Sequence, residues 1–92
     1  MYYLLLYEYV EDMAERRTPY REAHLKIVGD LKERGILITA SAYSNPLDGA
    51  ALIFDGKSKA VIEDFVRRDP YVLNGLVPRH RIHEWNATLP GS

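Results

Sequence analysis

The sequence predicts an α+β fold of the ferredoxin-like kind, β-α-β-β-α-β. Three observations carry this. An aromatic and aliphatic run opens the chain at residue 2, two stretches with helical spacing of apolar residues follow later, and two further apolar runs stand back to back between them with a last one at the end. In that order and within 92 residues, these elements make a four-stranded antiparallel sheet with both helices on one face. Residues 1–92 are expected to form one domain.

The first strand is Tyr2-Tyr3-Leu4-Leu5-Leu6-Tyr7-Glu8-Tyr9, apolar or aromatic at alternating positions on both faces, which fits a strand central in its sheet. Val10 to Arg17 passes from acidic to basic without a clear period and reads as a connection or a short helical turn. Thr18-Pro19 opens the first helix, because threonine can cap and proline at the first helical position loses no hydrogen bond. That helix runs to Arg34 and stops at Gly35, a residue suited to a left-handed C′ position. At about 100° per residue, Tyr20, Ala23, His24, Ile27, Val28 and Leu31 share one arc, with Glu22, Lys26, Lys32 and Glu33 outside it.

Ile36 to Tyr43 makes the second strand, Ser44 to Gly49 is dense in turn residues, and Ala50 to Phe54 makes the third. Ser58 is placed to cap a second helix whose inward stripe is Val61, Ile62, Phe65 and Val66. Pro70 disfavours the α conformation at Asp69, so this helix ends there. Tyr71 to Leu76 is too apolar for a solvated loop and is expected to pack as a short turn. Val77 to Trp85 is the fourth strand.

The composition bounds function. With 47% hydrophobic residues, seven tyrosines and no cysteine, the chain carries more apolar surface than so short a monomer buries well, since a domain of this size hides little more than ~60% of its unfolded surface. The first strand is apolar on both faces while the helices cover one, so a homodimer through the sheet face is expected, closing an α+β barrel. Absence of cysteine excludes disulfides and thiol nucleophiles and suits a reducing compartment. No leader pattern and no apolar run near ~18 residues stand in the sequence, so a cytoplasmic, non-membrane protein is expected. A net charge of −1 offers no general field for nucleic acid. No glycine-rich phosphate loop precedes either helix, and His80 and His83, three apart on a strand, point to opposite faces, so neither a cofactor nor a metal is expected.

Two residues stand out. His24 lies on the inward arc of the first helix, where its nitrogens need partners; a core histidine bonded to a carbonyl is the plain alternative. Asp69 follows the last turn of the second helix, at the negative end of its dipole, where an ionised carboxylate is disfavoured by a few tenths to about one kcal/mol; an ordinary Asp-Pro turn is the plain alternative there. The two helices pack on the same face, so His24 and Asp69 can meet, and a carboxylate on one imidazole nitrogen would leave the other for proton transfer. Arg21, one turn before His24, could hold an anionic group. Ser41 and Tyr43 could line a pocket and Tyr71 could close it, although each also reads as packing or turn chemistry.

Arg21-x-x-His24-Leu25, then Gly35, Gly49, Ser58, Phe65, Asp69-Pro70-Tyr71, Gly75-Leu76 and a closing Ile82 with Trp85 resemble the YCII-related family over nearly the whole chain. The resemblance implies a ferredoxin-like fold, a dimeric α+β barrel and an active site made of the helix-one histidine and the Asp-Pro aspartate, here His24 and Asp69. Members with a proposed activity resemble lyases or dehydrochlorinases acting on small ring compounds. Two functions follow as expectations: a small cofactor-independent lyase or isomerase using the His/Asp pair on a small organic substrate, or a non-catalytic dimeric ligand-binding or accessory module in which that pair is structural.

Overall fold

A computed structural model describes residues 1–86 of the chain. Four strands, β1 (Tyr2–Glu8), β2 (Leu37–Ala42), β3 (Gly49–Asp55) and β4 (Arg79–Glu84), form one sheet in the order β2-β3-β1-β4 with every neighbouring pair antiparallel. This is the ferredoxin-like order. Four helical segments accompany it: α1 (Met13–Arg16), α2 (Arg21–Glu33), α3 (Lys59–Arg68) and α4 (Pro70–Leu73), with a 3-10 turn at Thr18–Tyr20 leading into α2.

β1 is central, as expected, but its two faces are not equally covered. Tyr3, Leu5 and Tyr7 are buried, whereas Leu4 and Leu6 on the other face are half-buried. The buried face joins Leu52 and Phe54 of β3, Leu37 of β2, Val28 and Leu31 of α2, and Ile62, Phe65 and Val66 of α3 in the core. The helices therefore lie over the face that carries Tyr7.

α2 ends as Gly35 predicts. Gly35 has φ of 75°, its N–H donates to Lys32 O at 3.0 Å and the Ile36 N–H donates to Leu31 O at 3.0 Å, a paired closure that satisfies two terminal carbonyls. Other local expectations differ. Thr18 belongs to the 3-10 turn, and its hydroxyl donates back to Ala14 O rather than capping α2. Ser58 does occupy the position before α3, but its side chain makes no capping hydrogen bond. The acidic-to-basic connection contains α1, entered through Asp12 at φ 59°.

The largest local difference lies after α3. Tyr71 to Leu76 is not a simple turn: Asp69 is at once the C-cap of α3 and the N-cap of α4. Gly75, at φ 73°, closes α4 with the same paired bonds, Gly75 N–H to Val72 O at 3.1 Å and Leu76 N–H to Tyr71 O at 2.9 Å. Leu76 and Tyr71 are both 2% exposed, the apolar contact that accompanies such a closure. α4 packs against both α2 and α3, and those two long helices have little direct contact with each other.

Candidate active site

Asp69 is fully buried, at 0% exposure, and His24 is 9% exposed. The His24 imidazole Nδ1 lies 2.7 Å from Asp69 Oδ1. The same oxygen accepts the Tyr71 backbone N–H at 3.0 Å, and Oδ2 accepts the Tyr7 hydroxyl at 2.8 Å. A carboxylate has only acceptors to offer, so it matches three donors with none left over, and the proton shared with His24 belongs on Nδ1. Asp69 does stand at the C-terminal end of α3, as expected, and its side chain is compensated there by turning forward to cap α4 and inward to two core donors.

Placing the hydrogen of Nδ1 toward Asp69 leaves a lone pair on Nε2. His24 makes no other hydrogen bond among the described residues, and no buried side-chain nitrogen or oxygen there lacks a partner. Nε2 consequently keeps access to the space beside it. That space is a cavity of about 180 Å³ lined by Tyr9, Arg17, Arg21, His24, Tyr71 and apolar residues of α2, β2 and β3. The floor is set by sequence: Ala42 pairs with Ala50 and Ala40 with Leu52 across β2 and β3, and three alanines leave room that larger side chains would fill.

The imidazole stacks on the Tyr71 ring, with centroids 3.8 Å apart and planes within 7°. Tyr9 meets Tyr71 edge-on at 6.2 Å. Ring orientation is thus fixed from two sides, by Asp69 at its edge and Tyr71 at its face. Burial, then the Asp69 charge, pushes the Tyr7 hydroxyl well above its ordinary pKa, so Tyr7 stays a donor to Asp69 through neutral pH. Burial likewise raises Tyr9 and Tyr71, with Arg17 and Arg21 opposing the rise.

Of the residues singled out from sequence, His24, Asp69 and Tyr71 form one cluster and Arg21 borders the same cavity. Ser41 touches the cavity, yet by register it pairs with Ala51 and belongs to the sheet face opposite Leu52. Tyr43 stands apart from the cavity lining, 43% exposed, with its ring over Gly49, where a Cβ would come within 2.8 Å of Tyr43 Cε2. His80 and His83 pair with Tyr7 and Leu4 respectively and so lie on opposite faces. Sequence reasoning missed three site residues. In the sequence Tyr7 and Tyr9 belong to the aromatic first strand and Arg17 to the connection after it, although Arg17, Arg21 and His24 follow one another at the spacing of a single helical face.

No functionally curated protein matches the sequence. Among solved structures the chain is similar to 5-chloro-2-hydroxyhydroquinone dehydrochlorinase (TftG) from Burkholderia phenoliruptrix AC1100 in complex with 2,5-dihydroxybenzoquinone, with a TM-score of 0.80, 20% identity and 94% of each chain covered. At that identity the likeness is one of fold. The family model of the YCII-related domain matches residues 1–86, and the chain belongs to the YCII-related family.

Proposed function

We propose that this protein is a small cofactor-independent enzyme that transfers a proton on a small organic substrate, as a lyase or isomerase, with His24 as the acid/base group. The observation that carries the reading is the pairing of His24 Nδ1 with a fully buried Asp69, which leaves Nε2 as the atom that meets substrate. The Asp69 charge stabilises the imidazolium that forms when Nε2 takes a proton, and Tyr7, bonded to the far carboxylate oxygen, holds Asp69 in place. In an elimination, Nε2 removes the proton, its bonding electrons form the new double bond, and the leaving group departs with its own pair. A ring compound such as a chlorinated hydroxyhydroquinone, the substrate class in the name of the structural neighbour, is the first candidate.

A second reading is favoured by one observation. Asp69 satisfies three donors at once, as a purely structural residue would, in a module that binds a ligand without converting it. Replacement of His24 by Asn separates the two. On the enzyme reading, turnover of 5-chloro-2-hydroxyhydroquinone falls by roughly a hundredfold or more while the fold persists, and Asp69→Asn lowers it as well. Turnover unchanged in both variants overturns the acid/base role, and a large fall in melting temperature in both favours the structural one.

Independently of the chemistry, the half-buried Leu4, Leu6, Ala51 and Ile53 on the open sheet face support a homodimer through that face. The lack of cysteine supports a cytoplasmic setting.

A further inference from the structure

The cavity beside His24 is bordered by Arg17 and Arg21 and by no aspartate or glutamate. Neither arginine takes part in an ion pair among the described residues, whereas Arg34, Arg67 and Arg68 each lie against a carboxylate of their own helix. Asp69 is inaccessible and has both oxygens occupied by His24, Tyr7 and the Tyr71 N–H. Two positive charges therefore face one small space in a chain whose net charge is −1.

These charges converge. Both arginines act on the hydroxyls of Tyr9 and Tyr71, which stay neutral because burial outweighs that pull, so no tyrosinate cancels the guanidinium groups. The sheet lines the same space with Ala40, Ala42, Ala50 and Leu52, and with Ser41 as its one polar residue. A pocket lined by both cations and hydrocarbon selects by charge as well as by shape.

We infer that this cavity takes a small organic anion, a carboxylate or enolate joined to an apolar body, with Arg17 and Arg21 binding its oxyanion beside His24 Nε2. The inference shares its cavity with the proton-transfer reading and rests on it for the place of the reacting carbon. An anion bound in this way would hold the rest of the molecule over the alanine floor, within reach of the imidazole. In a proton abstraction next to a carbonyl, the same guanidinium groups would stabilise the enolate as it forms.

Benzoate and benzamide, nearly equal in shape and different in charge, test the assignment by titration into the wild-type protein with the His24 and tyrosine ring signals followed by NMR. Benzoate is expected to bind at least about tenfold more tightly, with a preference that shrinks as salt is added. The preference is expected to vanish in the double variant Arg17→Met/Arg21→Met and to persist in His24→Asn. Equal affinity for the two probes, no binding of benzoate, or a preference that survives loss of both arginines overturns the inference. Failure of the acid/base reading shows elsewhere, as unchanged turnover in His24→Asn, and leaves the charge preference intact.

Discussion

Tyr7 carries the clearest consequence at the scale of single residues. It is 1% exposed, and its hydroxyl donates to Asp69 Oδ2 at 2.8 Å. Removing that hydroxyl in Tyr7→Phe takes one of three donors from a buried carboxylate, a loss of about 1.5–3 kcal/mol for a hydrogen bond to a charged group. Urea titration of both proteins measures it. Because burial and the Asp69 charge raise the Tyr7 pKa above its ordinary value of 10.0, the folded state holds this proton where the unfolded chain has released it. Stability contributed in this way is complete below pH 10 and lost as pH rises beyond it. Tyr9 and Tyr71 are shifted in the same direction. Tyr7→Phe is therefore expected to flatten the alkaline fall in stability, by about 1.4 kcal/mol per pH unit, as well as lowering its neutral plateau. An identical alkaline slope in the two proteins would show that Tyr7 is not the group held protonated.

At the scale of elements, α4 decides whether the site exists. Its four residues cannot form a helix by propensity alone, and two end closures hold it: Asp69 at the start, and Gly75 with Leu76 at the end. Gly75→Ala forces a side chain into a left-handed conformation, with φ of 73°, at a cost of roughly 1–2 kcal/mol. Nothing lies within 4 Å of the position a Cβ would take there, so backbone strain rather than collision is the cause. The expected outcome is a stability loss of that size by denaturant titration, accompanied by a fall in turnover, because Tyr71 both stacks on His24 and supplies an N–H to Asp69. Gly35→Ala, at φ 75° and remote from the site, should match the stability loss and spare turnover. Equal turnover losses in both would separate α4 closure from catalysis. Ala23, expected on the inward arc of α2, is exposed, but Gly35, the Asp-Pro boundary and the rest of that arc were legible in the sequence, since each depends on local backbone geometry. That Asp69 caps a new helix was not, because the residue that decides it, Tyr71, reads as apolar packing until its N–H is seen to face the carboxylate. Tyr7 was hidden for a related reason: alternation along β1 places it in the core, and only the meeting of β1 with the α3–α4 junction gives its hydroxyl a partner.

At the scale of the whole molecule, one surface has no layer upon it among the described residues. On the face of the sheet away from the helices, Leu4 pairs with Ile53 and Leu6 with Ala51, and all four are half-buried by their neighbours alone. Thr39 and Ser41 continue this face on β2, and Arg81 and His83 on β4, so an apolar centre is bordered by polar and charged residues, the arrangement of a protein interface. Strand order and the one-sided placement of the helices followed from the order of elements in the sequence. The excess of apolar residues likewise predicts what covers that face, a second copy of the chain, and the dimer stands here as a proposal. On the homodimer reading, two such faces meet, and Leu6 lies near the centre of the contact. Leu6→Glu would place a buried carboxylate in each copy opposite its twin, and two like charges in a desolvated interface cost several kcal/mol. Because Leu6 points away from the core that contains Tyr7, the variant is expected to fold with the wild-type circular dichroism spectrum yet run as a monomer by light scattering, where the wild type runs as a dimer. A monomeric wild type at micromolar concentration would remove the dimer. A Leu6→Glu variant that remains dimeric would move the interface to another surface, and neither result would disturb the His24–Asp69 pair, which is complete within one chain.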